Sequence, residues 1–102
     1  MKKKQKRTKL GFSKVEVLGN TFKIIETDEN IEYNRSIVYG LCLPYDNLIY
    51  LDSRQSTESI RQTFYHELLH AIDWLMHNEE FKYDEETVNV LARGLATVKL
   101  GK

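Results

Sequence analysis

The chain has 102 residues, 41% of them hydrophobic and 29% charged, and its formal net charge is zero. This describes one soluble globular domain with room for a single core, and one Pro and five Gly exclude collagen-like and linker-like classes. A lone cysteine, Cys42, excludes an internal disulfide, and no apolar run approaches the roughly 20 residues that a membrane span requires.

The zero net charge hides an asymmetry. Residues 1–9, MKKKQKRTK, hold six of the fifteen basic groups, which leaves nine basic against fifteen acidic groups over 10–102, a net −6. The expected organisation is a disordered basic tail, 1–9, and one domain, 10–102. Such a tail offers transient contact with nucleic acid, whereas an acidic body argues against a broad DNA-binding face. No apolar segment follows the basic start, so neither a secretory signal nor a membrane partner is read, and the expected compartment is the reducing cytoplasm.

In chain order, the first half has strand character. Val15 and Val17, then Phe22, Ile24 and Ile25, flank Gly19-Asn20 and predict a hairpin. Thr27–Arg35 is polar and predicts a loop. Ile37–Leu43 and Leu48–Leu51, separated by Pro44-Tyr45-Asp46-Asn47, predict a second antiparallel pair. The second half has helix character. Ser56 or Thr57 can cap a helix over about 57–77, striped by Ile60, Phe64, Leu68, Ala71, Ile72 and Leu75. Asp84 can cap a last helix striped by Val88, Leu91, Ala92, Leu95 and Val98. The fold class is α+β: a small antiparallel sheet of about four strands packed on two helices.

One motif carries chemistry. His66-Glu67-Leu68-Leu69-His70 is an H-E-x-x-H inside the longer helical segment. Positions 66 and 70 lie about 40° apart on a helix and about 6 Å along it, so both imidazoles can converge on one metal. Glu67 lies at the edge of that face and can reach a water without being a ligand. Two neutral nitrogen donors with a carboxylate base are what a zinc hydrolase requires. By chance the motif arises in roughly one chain of this length in several hundred. The plainer alternative is a pair of core-facing histidines, for which Leu68 and Leu69 offer no hydrogen-bond partners.

A third ligand must come from elsewhere. His77 is about 10 Å along the axis from His70, too far to share an ion on an unbroken helix. The extended H-E-x-x-H-x-x-G-x-x-H pattern fails, because Asp73 and Met76 stand where it needs Gly and His. Glu85 and Glu86 open the last helix, and helical phase favours Glu85, with Glu86 as the alternative metal ligand. Both also suit a helix N-terminus electrostatically. Asp73, one turn beyond His70, is a candidate to orient a ligand imidazole or to line the cleft mouth. Asn89 is a candidate for a similar role beside Glu85. Tyr65, Tyr83 and His77 are the nearest candidates to stabilise an oxyanion. Cys42, between Leu41 and Leu43, reads as a small buried hydrophobe, the alternative being a thiolate that plugs the metal in a latent form.

The run from Asn47 to Leu95 resembles the ImmA/IrrE family of small metallopeptidase domains, particularly its short phage and mobile-element forms. The resemblance rests on Leu48-Ile49-Tyr50-Leu51, on Thr63-Phe64-Tyr65-His66-Glu67-Leu68-Leu69-His70-Ala71-Ile72-Asp73, and on the segment from Glu85 to Ala92. It implies a zincin-like fold and a gluzincin site, with His66, His70 and a Glu of the last helix on Zn2+ and Glu67 as base. It also implies a substrate strand paired at a cleft edge, here Asn47–Asp52. Known members cleave transcriptional repressors, so the implied partner is a protein or peptide substrate. The length is similar to that of the minigluzincins, which can be latent. The expected function is therefore that of a zinc metallopeptidase. Its rivals are a catalytically silent zinc-stabilised interaction module and a DNA-associated protease of the SprT type, which would need a third His.

Overall fold

The computed structural model describes residues 8–101, so positions 1–7 of the basic tail lie outside the described residues. The strands are β1 (Lys14–Val17), β2 (Asn20–Thr27), β3 (Ile31–Tyr33), β4 (Ser36–Val38), β5 (Gly40–Leu43) and β6 (Leu48–Asp52). A 3-10 turn, Pro44–Asp46, joins β5 to β6, and the helices are α1 (Thr57–Met76) and α2 (Glu85–Leu95). Four strands form the main sheet in the order β1-β2-β6-β5, and β3 and β4 form a separate two-stranded sheet. The architecture is α+β.

Local chemistry explains most of these elements. Leu18 and Gly19 both adopt positive φ, 49° and 81°, the geometry of a two-residue hairpin turn between β1 and β2. The turn falls one residue earlier than Gly19-Asn20, because Asn20 already pairs with Val17. Ser56 caps α1, its side chain accepting the Ser59 N–H at 3.1 Å, and Asp84 caps α2 through the Thr87 N–H at 2.7 Å. Two consecutive left-handed residues, Asn78 and Glu79, turn the chain just beyond the end of α1.

Several expectations are corrected. The main sheet is mixed: β2 runs parallel to β6, while β1–β2 and β5–β6 are antiparallel. Thr27–Arg35 is not a plain loop, since Ile31–Tyr33 pairs with Ser36–Val38 across a turn at Asn34 and Arg35. Ile31 is buried there and gives that short hairpin its one firm anchor. Ile37–Leu43 is therefore two strands, with Tyr39 between them. β6 is not a cleft edge. It lies inside the sheet between β2 and β5, and β5 is the edge.

Phe22, Ile24, Ile49 and Leu51 from the sheet meet Ile60, Phe64 and Ala71 of α1 in the core. α2 packs on α1 through a smaller cluster of Leu69, Val88 and Ala92. Leu91, Leu95 and Val98, expected on that buried stripe, are exposed, and Val98 lies beyond the end of α2. A single neighbouring helix covers only a narrow line of α2, so the wider stripe has no layer above it. At the start of the described chain, the Lys9 N–H donates to Glu26 at 2.8 Å and its ammonium donates to the Gln55 carbonyl. Lys9 thus rests on the domain. Among the described residues, no helix is long and apolar enough to cross a membrane.

Val88→Ala is expected to lower the unfolding free energy by roughly 1–3 kcal/mol, and Leu91→Ser to change it by no more than about 0.5 kcal/mol. Urea unfolding of both variants checks which face of α2 is buried.

Candidate metal centre and cleft

α1 presents His66 and His70 one turn apart with their rings 4.7 Å apart, and their Nε2 atoms are separated by 3.1 Å. Glu85, the first residue of α2, faces both rings, one with each carboxylate oxygen: its Oε2 lies 3.2 Å from His66 Nε2 and its Oε1 lies 3.0 Å from His70 Nε2. These residues are the metal-competent donor group among the described residues. With one ligand atom taken from each residue, the three donors lie within 4.8 Å of one another, close enough to share one metal ion. Burial lowers the pKa of His70, the nearby Glu85 charge opposing it, which favours the neutral ring a metal ligand needs. Glu86 is exposed and outside the group.

Glu67 points toward the edge strand. Only 7% of it is exposed, and its carboxylate accepts the N–H of Cys42 in β5. Burial, then the charge of Glu85, raises its pKa to about 7 against the pull of that hydrogen bond. A carboxylate poised there can both take and return a proton near neutral pH.

Two residues that sequence reasoning passed over allow this close approach. A Cβ on Gly40 would stand 2.5 Å from Thr63 Cγ2 and 3.2 Å from Glu67 Oε2, so β5 can lie this near α1 only with glycine there. A Gly within a strand-like run signals such an approach and was legible. Gln55 is buried and bolts strand to helix. Its amide donates to the Asp52 carbonyl at 2.9 Å and, more weakly, to that of Tyr39 at 3.4 Å. Its oxygen accepts from Ser59 at 2.9 Å and Thr63 at 2.7 Å. Nothing in its local sequence announces this.

Asp73 has partners other than those expected. It orients no ligand imidazole. Fully buried, it accepts the N–H groups of Lys82 and Tyr83 at 2.9 Å and His77 Nδ1 at 2.7 Å. Burial pushes this carboxyl up, but the Tyr83 and Lys82 N–H groups and the His77 ring outweigh it and hold it below the ordinary range. The effect is to fix the two residues just before Asp84, the α2 cap, and so to place Glu85. His77 is committed to Asp73 and stands outside the donor group. Asn89 is exposed and makes no hydrogen bond to Glu85. Tyr65 is a packing residue, its ring 5.2 Å from Phe64, whereas Tyr83 lines the cavity that holds the donors. Cys42 also lines that cavity but stands outside the donor group, and burial and then the Glu67 charge push its thiol up to about 12.

The cleft has two parts that share Val38, Gly40, His66 and Glu67. One is a groove of about 740 Å³ along the first turns of α1, and the other is a cavity of about 380 Å³ between β5 and the α1–α2 connection. Compared with known proteins, the chain matches no family model, no curated protein and no solved structure.

Gly40→Ala is expected to destabilise the domain by roughly 1–3 kcal/mol, with partial rescue by adding Thr63→Ser, which removes the methyl group in the way. Urea unfolding of the single and double variants measures the rescue. Because the Asp73 pKa is lowered from 3.8, its stabilisation is full above about pH 4 and is lost as pH falls through the folded value. Asp73→Asn is therefore expected to cost roughly 2–3 kcal/mol at neutral pH and to flatten the loss of stability below about pH 4. Urea midpoints from pH 2 to 7 compare the two proteins.

Proposed function

We propose that this protein is a zinc-dependent peptidase that hydrolyses a bond of an extended polypeptide. The observation that carries the reading is the convergence of His66, His70 and Glu85, whose donor atoms lie within 4.8 Å of one another, with a buried carboxylate, Glu67, next to them. The two imidazoles and Glu85 would hold the ion. Bound there, zinc supplies a Lewis acid for a carbonyl oxygen and acidifies water.

The remaining chemistry belongs to the chain. Glu67 takes the proton of the attacking water and delivers it to the leaving amine nitrogen. The Cys42 N–H keeps that carboxylate aimed, and Gly40 lets the edge strand approach it. β5 is the terminal strand of the sheet and offers main-chain groups to a substrate in extended form. Tyr83 is the one oxyanion candidate whose side chain shares a cavity with the donors. A cytoplasmic setting suits the free thiol of Cys42.

Elemental analysis of the purified protein is expected to find one zinc per chain. His66→Ala should abolish it, Glu85→Ala should weaken binding by roughly 10–100-fold, and Glu86→Ala should leave it unchanged. Glu67→Gln should keep the metal and lose hydrolysis by a factor of about 10² or more. Absence of zinc from the loaded wild type would overturn the reading, whereas zinc with equal peptide binding and no hydrolysis by either wild type or Glu67→Gln would leave a silent binding module.

A further inference from the structure

The two parts of the cleft differ in chemistry. On the groove side of Glu67, one wall carries the amides and hydroxyls of Gln55, Ser59, Gln62 and Thr63, and the exposed Ile37 and Tyr39 line the same groove. On the other side stand Tyr33, Leu41, Phe81 and Tyr83. Phe81 is 52% and Tyr33 51% exposed. Aromatic side chains left half open inside a concavity are the surface that a ligand covers.

Two of these rings, Phe81 and Tyr83, are held before any ligand arrives. Phe81 packs edge-on to His70 at 5.7 Å and against Trp74 at 4.9 Å. Tyr83 packs edge-on to His77 at 5.4 Å, and its N–H is fixed by Asp73. Among the described residues the lining has no lysine or arginine, and its polar groups cluster at Glu67 and the three donors, away from which the wall is apolar or aromatic. A bulky apolar side chain gains contact with four apolar or aromatic walls, at low ordering cost because two of them are preset.

We propose that this smaller cavity is a side-chain pocket selecting a bulky apolar residue, aromatic above all, beside the bond that faces Glu67. The substrate class is an extended polypeptide with such a residue on one side of the bond and the rest of the chain along the α1 groove. The inference rests on the peptidase reading for the identity of that bond, but the pocket's preference is a binding property and is measurable without turnover.

The test uses the full chain carrying Glu67→Gln, loaded with zinc. Two fluorescent decapeptides of Ser, Thr and Gln differ at one central residue, Phe or Ser, and their binding is followed by anisotropy. The Phe peptide is expected to bind roughly tenfold tighter. Phe81→Ala and, separately, Tyr33→Ser should each reduce that preference at least about threefold while leaving the Ser peptide within about twofold. Tyr33 belongs to β3 and not to the helices that carry the donors, so its variant keeps the test valid if Phe81→Ala disturbs the metal. Equal binding of the two peptides, binding of neither, or a preference that survives both substitutions would overturn the pocket. Digestion of the same peptides by the zinc-loaded wild type separates the two ideas. Cleavage next to Phe, identified by mass spectrometry, supports both. Selective binding with no cleavage supports the pocket and counts against the peptidase. Cleavage of both peptides at equal rates supports the peptidase and overturns the pocket.

Discussion

A carboxylate with no exposed surface has to find its hydrogen bonds inside the protein, and Asp73 finds them in the connection between the two helices. Leaving it unsatisfied would cost more than the small apolar contact between α1 and α2 provides. The connection is therefore drawn in until Lys82 and Tyr83 present their N–H groups. Asp84 then caps α2, and Glu85 emerges over the two imidazoles. The same tether sets Tyr83 at the cavity wall. One buried acid thus determines both the third donor and part of the cleft, without touching either histidine.

The opposite wall depends on an absence. Gly40 removes the Cβ that would collide with Thr63, and only then can the edge strand lend its Cys42 N–H to Glu67. Gln55 ties Tyr39, the residue just before that strand, to α1 through Thr63. Glu67 is consequently held from the strand side, while His66, His70 and Glu85 are carried by the two helices. Its carboxyl sits between two rigid pieces, in surroundings that make its charge costly.

What was legible in the sequence is what is local. His66, Glu67 and His70 fall on one helix, so their convergence follows from helical geometry alone. Ser56 and Asp84 cap as their side chains dictate. Glu85 was reachable because it begins an element whose phase is fixed by that cap, and the structure brings it, rather than Glu86, to the histidines. Non-local pairing was not legible. Nothing in Ile24 or Ile49 states that β2 and β6 run parallel, since β-branched strands of either direction read alike. The β3–β4 hairpin hid in a polar stretch because three-residue strands show no period, and Ile31 alone marked it. Asp73 was placed on the correct face of α1, yet its partner is a loop nine residues away, and no helical rule points there. Leu91 and Leu95 misled for the converse reason: an apolar stripe records what could be buried, and the domain has only one helix available to bury it.

The three donors belong to two units of unequal strength. His66 and His70 ride on α1, which is part of the main core, whereas Glu85 rides on a helix held by Leu69, Val88, Ala92 and the Asp73 tether. α2 is thus the segment with the lower cost of local opening. An ion that binds all three donors binds the docked form of α2 and not the detached one, so its free energy is added to that docking. Were an ion held by these donors, its occupancy and the order of α2 would be linked variables, and the amide hydrogens of α2 would exchange at a rate set by the free ion while those of the central strands report only global unfolding. The order of one short helix would then be a readout of the metal in solution.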